Sequence, residues 1–121
     1  MDFKDYFSAQ ASAYTRYRPH YPAPLFEYLA ELAIDHQLAW DCATGSGQAA
    51  LGLANYFEKV IATDASDEQI ANAVVHDRIT YVVVPAEKTE ITSGSVDLIA
   101  VAQALHLFDL DKYYAEAGRV L

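Results

Sequence analysis

The residues of this chain best suited to chemistry lie in one stretch, Leu38-Ala39-Trp40-Asp41-Cys42-Ala43-Thr44-Gly45-Ser46-Gly47-Gln48-Ala49-Ala50. It reads as a buried strand, a glycine-rich turn and the opening of a helix. Where a parallel strand hands over to a helix, backbone N–H groups are left free and the chain can pass close to a ligand. Gly45 and Gly47 permit that approach because they carry no Cβ. Gly45 to Ala50 fits G-x-G-x-x-A, a variant of the nucleotide-binding fingerprint. Asp64 follows 17 residues after Gly47, at the end of the next apolar run, where an acid suits the hydroxyls of a ribose. Together these residues describe a pocket for a cofactor that contains a nucleoside.

Asp41 narrows the kind of cofactor. It stands near the end of an otherwise apolar strand, where a carboxylate is unfavourable unless it has partners. A pyrophosphate nearby would be repelled by it, which argues against a nicotinamide dinucleotide and an oxidoreductase. A ligand with a cationic group would be attracted. The carboxylate can also be satisfied by N–H groups of the turn itself, and the two roles can coexist.

The elements that must position these residues follow from the apolar pattern. Tyr6, Tyr14, Tyr17, Tyr21, Arg16 and Arg18 mark an N-terminal helical arm ending near Arg18, because Pro19 disfavours helix at the residue before it. Pro24 suits the first turn of a second helix, whose apolar face is Leu25, Phe26, Leu29, Leu32 and Ala33. Strands are predicted at Leu38 to Cys42, Val60 to Thr63, Tyr81 to Val84 (apolar on both faces) and Val96 to Ala102. Helices are predicted from Gln48 to Tyr56, from the capping box of Ser66 and Gln69 to about Val75, and from Asp109 to the end of the chain. Alternating strands and helices with continuous apolar strands give a parallel sheet covered by helices.

Composition limits the function. The chain has 121 residues, 53% of them hydrophobic, and a formal net charge of −9. That suffices for one packed domain and disfavours nucleic acid or an anionic membrane as partner, since both need clustered Lys and Arg. One cysteine, Cys42, allows no internal disulfide and reads as a small core residue. His20, His36 and His76 are scattered, so no metal site is expected. No apolar run is long enough to span a bilayer, and the N-terminus has no secretory pattern, so the expected location is cytoplasmic.

Beyond these patterns, the chain resembles the class I S-adenosylmethionine-dependent methyltransferases, in the broad type 11 group that includes the ubiquinone-biosynthesis and trans-aconitate enzymes. The resemblance rests on ordered segments: Tyr17-Arg18-Pro19-His20-Tyr21-Pro22, Asp41 to Gln48, Ala62-Thr63-Asp64-Ala65-Ser66, Pro85-Ala86-Glu87, Gly94-Ser95-Val96-Asp97-Leu98-Ile99 and Val101-Ala102-Gln103-Ala104-Leu105-His106. It implies methyl transfer from S-adenosylmethionine to a small-molecule acceptor. The cofactor-binding set that it implies is Arg18, Asp41, Ala43, Gly45, Gly47, Asp64, Ala65, Ala86, Glu87 and Gln103. In that set Asp64 binds both ribose hydroxyls and Gly45 with its neighbours lines the methionine portion. The Ala86 N–H meets adenine, with Glu87 beside the exocyclic amine. Gln103 sits near the sulfonium. Arg18 meets the cofactor carboxylate or is simply a solvated arginine. His106 is the one candidate general base, although a histidine packed at a helix start is the favoured reading. Three positions depart from the family pattern. Ala43 and Pro85 replace a common glycine and a common acid, and Leu107 stands where tryptophan is frequent.

The resemblance also sets expectations for the fold. It is a Rossmann-like three-layer sandwich of α/β class with parallel strand order 3-2-1-4, strands 5 to 7 of the family sheet being absent. Residues 1–23 form the arm and 24–121 the truncated α/β core. Strand four then becomes an apolar edge without the charges or proline that guard edges, so self-association is expected. The expected form is a homodimer through that edge, or one made by a swapped element. A non-catalytic module that binds S-adenosylmethionine or S-adenosylhomocysteine, or only assembles, is the alternative function.

Overall fold

A computed structural model of the chain describes residues 22–101 and 108–121. The predicted N-terminal arm lies outside them. The elements in chain order are α1 (Ala23–Leu32), β1 (Leu38–Cys42), α2 (Gln48–Leu53), β2 (Lys59–Asp64), α3 (Asp67–Ala71), β3 (Ile79–Val83), β4 (Leu98–Val101) and α4 (Leu110–Val120). The four strands form one sheet in the order β3-β2-β1-β4, with every pairing parallel. This is the expected order.

Alternation along the strands sends successive side chains to opposite faces. Ala39, Val60 and Ala62 join a core with Phe26 and Ala30 of α1, Ala50 and Leu53 of α2, and Phe57. Trp40 and Cys42 join the opposite core with Ile91, Val96, and Tyr113 and Val120 of α4. The sheet is therefore the middle of three layers. Trp40 is fully buried, and its indole N–H donates to the Thr63 hydroxyl at 2.9 Å, so its polar edge is satisfied inside the core. α1 lies close against α2 because Gly52 leaves room for the Phe26 ring, whose nearest carbon would come within 2.2 Å of a Cβ there.

Several element ends differ from expectation, each for a local reason. α2 ends at Leu53 rather than Tyr56. Its last turn tightens, with Asn55 N–H donating to Gly52 O and Tyr56 N–H to Leu53 O. α3 starts at the expected cap, where the Ser66 hydroxyl accepts from Gln69 N–H, but stops at Ala71. Beyond it Val74 N–H donates to Ser46 O in the glycine-rich turn, a tertiary bond that draws the chain away from the helix axis. β3 begins two residues early, at Ile79, and is an edge strand with Val82 and Val83 still 37% and 46% exposed, not covered on both faces. β4 begins at Leu98, two residues later than predicted, because Val96 and Asp97 serve as anchors; Ala102, the predicted end, lies outside the described residues. Val96 N–H donates to Val120 O, and the Asp97 carboxylate accepts from the N–H groups of Gln37 and Leu38. Leu32, predicted on the apolar face of α1, is 61% exposed, while Ala30 takes a place in the core.

Candidate functional site

The carboxyl ends of β1 and β2 lie side by side, with Asp41 paired to Ala62 and Cys42 to Thr63 in register. The turn from residue 43 to residue 47 covers them. Three of its N–H groups are not left free as expected. Thr44 N–H donates to Thr63 O at 2.8 Å, Gly45 N–H to the Asp64 carboxylate at 2.9 Å, and Gly47 N–H to Thr44 O at 3.0 Å. Those three are committed within the protein. Beneath the turn, Asp41 and Asp64 stand near neighbouring strand ends.

Asp64 is held from both sides. One oxygen accepts from Gly45 N–H and the other from Ser66 N–H, each at 2.9 Å. The side chain is half-buried, and each oxygen retains a lone pair for a further donor. Two adjacent hydroxyls are the natural complement.

Asp41 is 1% exposed. The Thr44 hydroxyl donates to it at 2.6 Å. Burial pushes its carboxyl up from 3.8 to about 7, only partly offset by the bonds from Thr44 and the Ala50 backbone, and Asp64 adds repulsion. The expectation that turn N–H groups satisfy Asp41 is therefore corrected, since the main donor is the hydroxyl three residues on. Thr44 was missed from the sequence. A buried carboxylate followed at short range by a hydroxyl is the signal that could have found it.

The two glycines divide the work. Gly45 has φ +58, and a Cβ built on it would meet nothing within 4 Å, so the turn faces open space there. Gly47, with φ +89, serves packing rather than ligand approach, because its Cβ would lie 2.3 Å from the Tyr81 hydroxyl. Tyr81, also missed from the sequence, donates that hydroxyl to Val74 O and so braces the turn against β3. Ala43 takes φ +57, a left-handed conformation that side chains disfavour.

Of the remaining predicted residues, Ala65 is exposed beside Asp64. Val84 N–H donates to Asp64 O, so Pro85, Ala86 and Glu87 leave the sheet next to that acid. Ala86 is buried in the Trp40–Tyr113 core and Glu87 is half-buried. Cys42 is buried, with its thiol pushed up to about 12 mainly by that burial, and is an inert core residue as expected. The structure thus brings Asp41, Ala43, Gly45, Asp64 and Ala65 together around the carboxyl ends of β1 and β2, with Ala86 and Glu87 on the segment that follows β3. Arg18, Gln103 and His106 lie outside the described residues. No group of three or more potential metal ligands occurs among the described residues, and no described helix is long and apolar enough to cross a membrane.

The family model for a methyltransferase domain matches residues 40–121. The chain belongs to the methyltransferase domain family. A protein of Dictyostelium discoideum described as a methyltransferase is 42% identical over 120 residues, which is 98% of this chain and 46% of that one. Methyltransferase pgmE of Aspergillus terreus is 30% identical over 115 residues, 82% of this chain and 34% of its own. Among solved structures, one described as a type II methyltransferase from Anaeromyxobacter dehalogenans is 51% identical, with a TM-score of 0.81, and the match covers 84% of this chain and 43% of that one. This methyltransferase domain therefore spans less than half the length of each of these three proteins. Its four-stranded sheet and flanking helices are those of a Rossmann-like methyltransferase fold.

Proposed function

We propose that this chain holds S-adenosylmethionine across the carboxyl ends of β1 and β2, and that the protein to which the fold belongs methylates a small-molecule acceptor. The observation that carries this reading is the pair of carboxylates, Asp41 and Asp64, under a turn whose Thr44, Gly45 and Gly47 N–H groups are already bonded to Thr63, Asp64 and Thr44. Such a site rejects phosphate and suits a ligand that is cationic at one end and hydroxylated in the middle. The residues present fit the cofactor, since the face of Gly45 beside Asp64 is open.

When bound, S-adenosylmethionine supplies a methyl group activated by its sulfonium. The chain's own part is to bind and orient. Asp64 accepts the two ribose hydroxyls on its remaining lone pairs. Asp41 offers negative charge to the ammonium of the methionine portion. Ala86 and Glu87, beside Asp64, receive the adenine. Alignment and exclusion of water are then the protein's contribution to the reaction, and a catalytic triad is not needed. A net charge of −9 favours a small acceptor over nucleic acid.

Titration calorimetry with S-adenosylhomocysteine tests the reading. The wild-type chain binds it, and Asp64→Asn weakens binding on the order of 10- to 100-fold, as expected for lost hydrogen bonds to a charged acceptor. An absence of heat from the wild-type chain with both S-adenosylhomocysteine and S-adenosylmethionine would overturn it.

A further inference from the structure

Residues 84–97 connect β3 to β4 without helix or strand. A segment of that kind takes its shape from tertiary bonds alone. Here most of those bonds come from one place, the C-terminal half of α4. The Glu116 carboxylate accepts from the Thr89 N–H and from the Thr89 hydroxyl, each at 2.6 Å. The Arg119 guanidinium donates to Ile91 O at 2.7 Å and to the Ser93 hydroxyl at 3.1 Å. The two side chains pair with each other at 2.8 Å. Gly94 N–H and Val96 N–H close the segment onto the Arg119 and Val120 carbonyls.

Glu116 is 9% exposed, on a helix face that otherwise packs Tyr113 and Val120 into the core. Apolar side chains there would hold the helix to the sheet as well or better. Here only the Glu116 side of the pair is buried, at 9% against 36% for Arg119; a pair of this kind is weak support for stability, and the best-attested use of a charge set into a core is to fix one register among several. The register fixed here is that of residues 89–93. Ala86, three residues before Thr89, is buried in the same core as Tyr113 and Val120. At the other end Val84 is tied to Asp64 O. Pro85 to Lys88, a turn in which Lys88 N–H donates to Pro85 O at 3.4 Å, are therefore held between the proposed ribose acid and the Glu116 clamp.

We infer that Glu116 and Arg119 are positioning residues for nucleobase recognition, setting where Ala86 and Glu87 meet the adenine without touching the ligand themselves. The inference rests on the adenosyl reading above. Its test compares affinities for S-adenosylhomocysteine and for its inosine analogue, in which an oxygen replaces the exocyclic amine. The wild-type chain prefers the amine by on the order of tenfold, about one hydrogen bond to a charged or backbone acceptor. In Glu116→Gln that ratio falls to about threefold or less, and Thr89→Val, which keeps the ion pair, gives an intermediate ratio. A merely structural role would lower the melting temperature and weaken both ligands alike, leaving the ratio unchanged. Should Glu116→Gln fail to fold, Thr89→Val carries the comparison. An unchanged ratio in the folded variants, or equal affinities in the wild-type chain, overturns the inference. Failure of the wild-type chain to bind either ligand instead overturns the adenosyl reading.

Discussion

Asp41 shows what a buried carboxyl costs the fold. Its carboxyl stands at about 7 in the folded chain against 3.8 ordinarily, because burial disfavours the charge. Below pH 3.8 both folded and unfolded chains hold the proton, and the residue is neutral to stability. As pH rises from there to about 7 the unfolded chain releases the proton first, so stability falls by about 1.4 kcal/mol per pH unit, roughly 4 kcal/mol over the interval. Asp41→Asn removes this penalty. The expected outcome is a higher melting temperature at pH 7.5, a flatter stability profile between pH 4 and 7, and weaker binding of S-adenosylhomocysteine. Thermal melts across that range check the first two. Glu116 runs in the opposite sense. Arg119 and Thr89 hold its carboxyl down at about 2, so its contribution is present above 4.5 and lost as the pH falls toward 2.

The turn between β1 and α2 is the element on which the site depends, and it carries visible strain. Ala43 holds φ +57 directly after Cys42, the last residue of β1. A left-handed conformation costs a side-chain-bearing residue about 1–2 kcal/mol, part of which glycine returns through its freer unfolded chain. Ala43→Gly is therefore expected to stabilise the fold by about 0.5–1 kcal/mol, read as a shift in denaturation midpoint at unchanged slope. A destabilised variant would show that the Ala43 methyl makes contacts worth more than the strain. The turn was legible in outline from Gly45 and Gly47, and the spacing placed Asp64 at the end of β2, beside the turn. What the pattern could not show was that Gly47 answers to Tyr81, since the two meet only when β3 joins the sheet beyond β2.

For the whole molecule, the sheet order leaves β3 and β4 at the two edges among the described residues. Leu98 to Val101 of β4 hold no charge and no proline. An unguarded apolar edge invites pairing with another strand. The isolated 121-residue chain is thus expected to self-associate, and light scattering coupled to sizing should give a mass well above 13.4 kDa. A single species at that mass would contradict the expectation.

The sequence by itself determined the order of elements, the parallel sheet and the placing of the acids at 41 and 64 near its strand ends. These follow from apolar periodicity, glycine placement and local caps, which act over a few residues. Only the tertiary structure decided where α2 and α3 stop, which strand faces stay exposed, and that the turn spends its N–H groups on Thr63, Asp64 and itself. It also decided that Glu116 and Arg119 grip residues 89–93. Those outcomes join groups far apart in the chain, and a hydrogen bond between distant segments leaves no periodic trace in either one.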